Sequence, residues 1–430
     1  MSLIGKFIDQ ILPVGSITVV GPDGKRDTYG PGGGNRHVTV KFHDRRVALD
    51  IFRNPRLKVG EAYMDGRLTV EEGGTILDLL ELIVGAKPWE KGRRKALGKG
   101  KAGKLVSLFR RNPVRKSRKN VAHHYDIGNT LYALFLDDDL QYSCAYFTDP
   151  NNSLEQAQAD KKAHIAAKLD LKPDQRVLDI GCGWGGMALY LHKVAGVDVL
   201  GITLSEEQLK VARRRAEDAG VSDHVKFELI DYRMLEGRFD RIVSVGMFEH
   251  VGAAHYDEFY AKCRELLTDD GVMLLHTIGK LGGAGTPDPF TDKWIFPGYH
   301  LPALSQMCSS SEKVKMIVSD VETLRLHYAY TLRHWLDRAT RARAKIVKMY
   351  DERFFRMWEF YLAGGIVMFE SGAACNYQVQ YVLDRRATPI TRDYMFEAEC
   401  RYREIGAKPA PPARKPRGAG RRKASELTDA

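Results

Sequence analysis

The chain has 430 residues, 44% of them hydrophobic and 28% charged, an ordinary globular mixture long enough for two domains and unlike that of a fibrous or disordered protein. Its six cysteines (144, 182, 263, 308, 375 and 400) form no CxxC pair and lack histidines at zinc-ligand spacing, so a reduced, cytosolic chain without structural metal is expected. The N-terminus lacks the apolar core of a secretory signal. The longest apolar candidate, LAGGIVMF at 362–369, is far too short to span a bilayer.

The net charge of +11 is unevenly placed. Residues 87–119 hold fourteen Lys or Arg against one Glu, and residues 401–423 hold nine against one, which leaves the remainder acidic. Such segments suit an anionic partner, a phosphate surface or nucleic acid, or serve as solvated spacers.

In chain order, GSITVVGPDGKRDTYG (15–30) reads as two strands around a PDG turn. GEAYMDGRLTVEEGG and the apolar helical run TILDLLELIVG follow, so residues 1–85 form a small α+β module. A basic linker (86–120) separates it from HHYDIGNTLYALFLDDDL. The adjacent His123 and His124 would point in different directions and make a poor metal site. LQYSCAYFTD (140–149) then sets Cys144 among aromatics ahead of a long polar helix. A thiol so placed is most often a small buried hydrophobe, with nucleophile and metal ligand as alternatives.

From 160 to 280 strands and helices alternate: RVLDI, a glycine turn and helix, VDVLGIT, a helix opened by SEEQ at capping-box spacing, HVKFELI, FDRIVSVG, a helix, and GVMLLHTI. These βαβ units predict a parallel sheet. Residues 285–383 mix loops with amphipathic, aromatic-rich helices, and the catalytic unit is bounded at 121–390. The stretch 404–430, with APPARKPRGAGRRK, reads as a disordered basic tail.

VLDIGCGWGG (177–186) follows a strand and opens a helix, the position at which a doubly wound sheet binds a nucleotide-like ligand. It satisfies GxGxxG, yet the second strand ends in Thr203, Leu204 and Ser205 without the acid that NAD requires. DIGCGWG resembles motif I of S-adenosylmethionine-dependent methyltransferases. YSCAYF, VLDIGCGWGG, GITLSEEQ, DYR (231–233), SVGMFEHVG (244–252), LLHTIG (274–279), WIFPGYHLP (294–302) and HYAYTLRHW (327–335) occur in order. Together they resemble the cyclopropane-fatty-acyl-phospholipid synthase and mycolic acid cyclopropane synthase family over about residues 120–385. The GEAYMDG module is similar to the extra domain of its phospholipid-acting members.

The resemblance implies a Rossmann-like class I methyltransferase domain with a helical acyl-binding insertion, plus the small N-terminal domain, which would engage lipid. It implies that Tyr142 and Ser143 touch S-adenosylmethionine and that Asp179, Gly181, Gly183 and Gly185 serve its methionine end. Thr203, Leu204 and Gln208 would hold the ribose, with Tyr232 and Arg233 flanking the adenine, although an acid is commoner in the family where Arg233 stands. A bicarbonate ion would act as base, held by Cys144, Glu249, His276, the backbone of Ile278, and Tyr328. A plain Glu249–His276 ion pair is the alternative.

The reaction implied is methylene transfer to the cis double bond of an unsaturated phospholipid acyl chain, through a carbocation that water would trap and aromatic faces would stabilise. A methyl- or methylene-branched product from the same cation is the second reading. An RNA methyltransferase is the third, disfavoured because GMFEHV lacks the signature of an amino acceptor, so no nucleic acid is expected. The partners implied are membrane phospholipids and an anionic membrane surface, met from the cytoplasmic side. Oligomeric state stays open, a homodimer included.

Overall fold

The computed structural model describes residues 3–34, 36–85, 88–91 and 128–408. The rest of the basic linker, His123, His124 and the chain beyond 408 lie outside them.

The N-terminal unit is a four-stranded sheet in the order β2-β1-β3-β4, formed by β1 (Gly15–Val20), β2 (Arg26–Gly32), β3 (His37–Phe42) and β4 (Leu68–Glu71). The PDG turn closes the antiparallel β1–β2 hairpin, with Val20 opposite Arg26. β3 runs parallel to β1, so its connection must cross over; the reading from sequence had no element there. The helices Leu3–Ile11, Val47–Arg53 and Pro55–Met64 complete the unit. Thr75 caps the helix Ile76–Leu80 in a reciprocal box with Asp78, and the turn after it widens over Glu81–Gly85.

The larger unit is built on a seven-stranded sheet in the order β10-β11-β9-β8-β5-β6-β7. Its strands are β5 (Arg176–Ile180), β6 (Asp198–Thr203), β7 (Val225–Leu229), β8 (Phe239–Val245), β9 (Leu267–Lys280), β10 (Ile317–Leu324) and β11 (Ala374–Val382). β9-β8-β5-β6-β7 pair in parallel and β11 is antiparallel to both neighbours, which is the Rossmann-like methyltransferase fold. Strand order reverses beside β5, so a crevice opens at its carboxyl end. The expected helical insertion is formed by Pro289–Trp294 after β9 and by His327–Arg341, Arg343–Met349 and Glu352–Glu370 between β10 and β11.

Two boundaries differ from expectation. The catalytic unit does not end at 390, because the helix Asp393–Ala407 buries Ala398 and Tyr402 in the core, and the Tyr190 hydroxyl donates to the Tyr402 carbonyl at 2.9 Å. The tail therefore starts later than residue 404. SEEQ forms half a capping box: Ser205 accepts from the Gln208 N–H, but the Gln208 side chain accepts instead from Thr203 Oγ1 at 3.1 Å.

Candidate active site

The glycine turn is fixed by backbone geometry. The N–H groups of Gly181 and Cys182 both donate to the Ile202 carbonyl, at 2.9 and 3.0 Å, which folds the chain back over the end of β5. Gly181 has φ +84°, and a Cβ there would sit 2.9 Å from the Met247 Cβ, so only glycine fits. Gly185, also left-handed, caps the helix Gly186–Ala195.

A cavity of about 160 Å³ lies over this turn. Its walls include Tyr142, Ser143, Asp179, Gly181, Gly183, Thr203, Leu204, Gln208, Tyr232 and Arg233, ten of the eleven residues expected to hold the cofactor. The eleventh, Gly185, faces away: a Cβ there would meet the Phe227 ring at 2.6 Å, so its part is to shape the turn. Arg233 is held by Asp231, with Nε at 2.9 Å and Nη2 at 2.7 Å from its carboxylate oxygens. Asp231 also lines the cavity and takes up the positive charge that made Arg233 look out of place.

Asp179 is buried, and its Oδ2 has no partner among the described residues. Burial pushes its carboxyl up to about 7. An orphaned acceptor at this depth fits the ammonium of a methionine moiety, so the donor set suits S-adenosylmethionine.

A second cavity of about 1260 Å³ adjoins the first, and Tyr142, Ser143, Gly246 and His250 line both. Cys144, Glu249, His276, Ile278 and Tyr328 all line the larger one. Glu249 Oε1 accepts from the Ile278 N–H at 2.6 Å while Oε2 is buried without a hydrogen-bond partner among the described residues, and burial pushes the carboxyl up to about 7. The Ile278 amide, expected to face an anion, is thus already committed to Glu249. His276 contacts the side-chain amides of Asn376 and Gln378, and no ion pair joins it to Glu249. Burial holds its pKa far below the usual histidine range, so the ring is neutral.

Cys144 is buried, its Sγ donating to the Ala145 carbonyl at 3.4 Å, and burial pushes the thiol well above its ordinary value. With so little thiolate the nucleophile alternative loses its chemistry. Cys144→Ser is expected to keep turnover within about tenfold, since a hydroxyl still borders the site; complete loss in a folded variant would restore the nucleophile.

Several residues were not legible as functional. Lys161, fully buried, donates to Gln141 Oε1 at 2.6 Å and Ser143 Oγ at 2.8 Å, and burial lowers it to about 8. Gln158 donates to the carbonyls of Gln141 and Ser143, so the helix Leu154–Lys168 pins the loop that carries Tyr142 and Cys144. His250 stands in the quoted GMFEHV motif; burial lowers it to about 4, leaving it neutral at the junction of the cavities. Tyr142 stacks on Trp335 at 5.1 Å, and Tyr328 meets Trp335 edge-on, giving the junction an aromatic wall. Among the described residues no group of three His, Cys, Asp or Glu could hold a metal, and no helix is long and apolar enough to cross a membrane.

A family model described as mycolic acid cyclopropane synthetase matches residues 113–379, and a domain of unknown function matches residues 9–88. The chain is 40% identical over 391 residues to a probable fatty acid methyltransferase of Pseudomonas putida, covering 87% of this chain and 94% of that protein. It is 46% identical over 239 residues to the cyclopropane-fatty-acyl-phospholipid synthase of Escherichia coli (strain K12), covering 56% of this chain and 61% of that one. Among solved structures, mycolic acid cyclopropane synthase CmaA1 complexed with SAH and CTAB superposes with a TM-score of 0.59 at 32% identity, covering 61% of this chain and 97% of that chain. The cyclopropane synthase MmaA2 of Mycobacterium tuberculosis gives the same TM-score at 30% identity, with the same coverage of each chain. Fold, glycine turn and sequence agree: the chain belongs to the mycolic acid cyclopropane synthetase family.

Proposed function

We propose that the enzyme transfers a methylene unit from S-adenosylmethionine to the cis double bond of an unsaturated phospholipid acyl chain, closing a cyclopropane ring. The observation that carries this reading is the shared wall: a small cofactor-type cavity opens onto a much larger one through Tyr142, Ser143, Gly246 and His250. Bound S-adenosylmethionine would supply an electrophilic methyl group, and bicarbonate, the base implied by the resemblance, would take a proton from that methyl.

The chain's residues do the rest. Asp179 anchors the ammonium end of the cofactor. Tyr142 and Tyr328 line the cavity with aromatic rings, Tyr142 backed by the buried Trp335, and a ring face near the developing cation is worth up to about 2 kcal/mol when desolvated. The buried Glu249 would border the anion with a group able to donate, since a carboxyl raised to about 7 is partly protonated at neutral pH, while the neutral His276 leaves that wall uncharged. The apolar walls, among them Phe290, Phe296, Leu332 and Met368, exclude water from the cation.

The product is tested by expressing the chain in a bacterium that lacks such an enzyme and recording proton NMR of the extracted lipids. Strained-ring protons are expected. Vinylic protons would promote the branched-chain reading, which draws support from the name of the Pseudomonas putida relative, probable fatty acid methyltransferase. Depleting dissolved carbonate should slow turnover, and restoring it should recover the rate.

A substrate held in a bilayer requires the protein to come to the membrane from the cytoplasmic side. The larger cavity reaches the N-terminal unit, where the exposed Gln10 and Arg56 line it. Beside this end the helix Val47–Arg53 presents Leu49 and Phe52, 42% and 44% exposed, framed by exposed Arg45, Arg46 and Arg53. Phe52 meets Phe7 of the cavity wall edge-on at 6.4 Å. Apolar side chains ringed by arginines suit an anionic phospholipid surface. Leu49→Ser with Phe52→Ser is expected to weaken co-sedimentation with anionic vesicles by about tenfold or more, because each side chain is less than half exposed and so has only part of the roughly 1.5–3 kcal/mol of a fully buried Leu or Phe still to gain. Unchanged binding would remove this face from the membrane contact.

A further inference from the structure

β11 is buried along its whole length, yet one face carries three amides in succession, Asn376, Gln378 and Gln380. Gln378 lies directly opposite His276 on β9, and Asn376 directly opposite Ile278. Hydrogen-bond direction along this row is dictated from one end. Lys168, 2% exposed, donates from Nζ to Gln378 Oε1 at 2.7 Å and to Glu322, whose carboxylate it helps hold well below the usual range. An ammonium has hydrogens only to give, so the Gln378 oxygen must face Lys168 and its NH2 must face His276.

The Gln378 Nε2 lies 3.1 Å from His276 Nδ1, so Nδ1 accepts and the single proton of the neutral ring sits on Nε2. His276 Nε2 in turn is 2.7 Å from Asn376 Nδ2, a contact that two donors cannot share, while Asn376 Oδ1 is buried with no partner among the described residues. A half-turn of the Asn376 amide about Cβ–Cγ removes both conflicts. Its oxygen then accepts from Nε2–H, and its NH2 takes the place of the orphaned oxygen. Asn376 lines the larger cavity beside Ile278, whose N–H is already given to Glu249.

We propose that Asn376 donates an N–H to the anion held in this cavity, in place of the committed Ile278 amide, and that Lys168 and Gln378 are positioning residues that fix its orientation through the His276 tautomer. The proposal rests on the anion-assisted reading above and supplies a donor where the Ile278 amide is already taken. Lys168 and Gln378 stand behind the wall, where they touch neither cavity.

Gln378→Glu reverses the row with almost no change of shape. A carboxylate accepts from Lys168 and also from His276 Nδ1–H, which moves the ring proton, returns the Asn376 NH2 to Nε2 and turns its oxygen toward the anion. The test uses the full chain labelled with 15N-histidine, and the tautomer is read from one- and two-bond 1H–15N couplings. The wild type is expected to show Nε2–H, and Gln378→Glu to show Nδ1–H. The bicarbonate concentration for half-maximal turnover should rise about tenfold in Gln378→Glu and in Asn376→Leu, the loss expected for one hydrogen bond to a charge, with S-adenosylmethionine affinity unchanged in both. Asn376→Leu keeps the wild-type tautomer and decides the matter should Gln378→Glu fold poorly. An Nδ1–H signal in the wild type, or bicarbonate dependence that neither variant moves, would overturn the proposal. A wild type with the Nε2–H signature and no response to bicarbonate would overturn it by a different route, by removing the anion and leaving the polarity of the row intact.

Discussion

Glu249→Gln is expected to remove nearly all turnover, by a factor of about 100 or more, while S-adenosylmethionine still binds within about twofold of the wild type. The amide can keep the bond from the Ile278 N–H, which meets Oε1 at 2.6 Å, so the end of β9 should hold its shape. Oε2 is the atom that changes. In the wild type it is buried and without a partner among the described residues, on a carboxyl raised to about 7, so it would exchange a proton near neutral pH with the anion proposed above. A carboxamide there offers fixed hydrogens and cannot exchange one. Single-turnover assays with labelled cofactor separate the two effects, and a rate within about tenfold of the wild type would take Glu249 out of the proton path.

The second large effect falls on cofactor affinity. Asp179→Asn should weaken S-adenosylmethionine binding by about 10- to 100-fold, since a hydrogen bond to a charged group is worth roughly 1.5–3 kcal/mol. The pH dependence follows from the same residue. Its folded-state pKa, about 7, lies above the ordinary 3.8, so the empty protein binds this proton more tightly folded than unfolded. The resulting stability is present in full below pH 3.8 and is lost as pH rises through 7. Glu249 acts in the same direction between 4.5 and 7. A bound ammonium group reverses the preference at Asp179, so cofactor binding should release a proton and tighten as pH rises from 6 to 8. Calorimetry in buffers of different ionisation enthalpy measures that release. Affinity unchanged in Asp179→Asn, or insensitive to pH in the wild type, would place the ammonium elsewhere.

What the sequence conveyed and what it hid follow from how each residue earns its place. The glycine turn was legible because its demands are local: Gly181 must take a left-handed φ against Met247, and that leaves a mark at one position. The strands β5, β6, β8 and β9 were legible because parallel strands buried on both faces read as apolar runs. β11 was missed, since Asn376, Gln378 and Gln380 make a core strand look like a loop. The helix Leu154–Lys168 misleads in the same way. Its composition is polar, yet Gln158, Lys161, His164 and Lys168 are all buried, each hydrogen-bonded to a partner distant in sequence. Periodicity sees polarity and cannot see a partner more than 150 residues away, such as Glu322 for Lys168. The Ile278 amide was named for an anion from motif order alone; only the folded chain shows Glu249 already on it.

The seam between the two units has a further consequence. Ala363, from the helix Glu352–Glu370, belongs to the apolar core of the N-terminal unit, and Gly60 leaves room for the rings of Phe290 and Phe360, which a Cβ would meet at 2.5 and 2.7 Å. Glu61, almost buried, accepts from Lys293 at 2.6 Å, and the Tyr63 hydroxyl donates to Glu359 at 2.5 Å. Neither unit can melt without stripping the other of core and charge partners, so heating should give one cooperative transition instead of two. The small unit is therefore poor material for recombination: grafted onto a related catalytic unit without matching Pro289–Trp294 and Glu352–Glu370 helices, it would arrive with Glu61 buried and nothing to neutralise it from the other side.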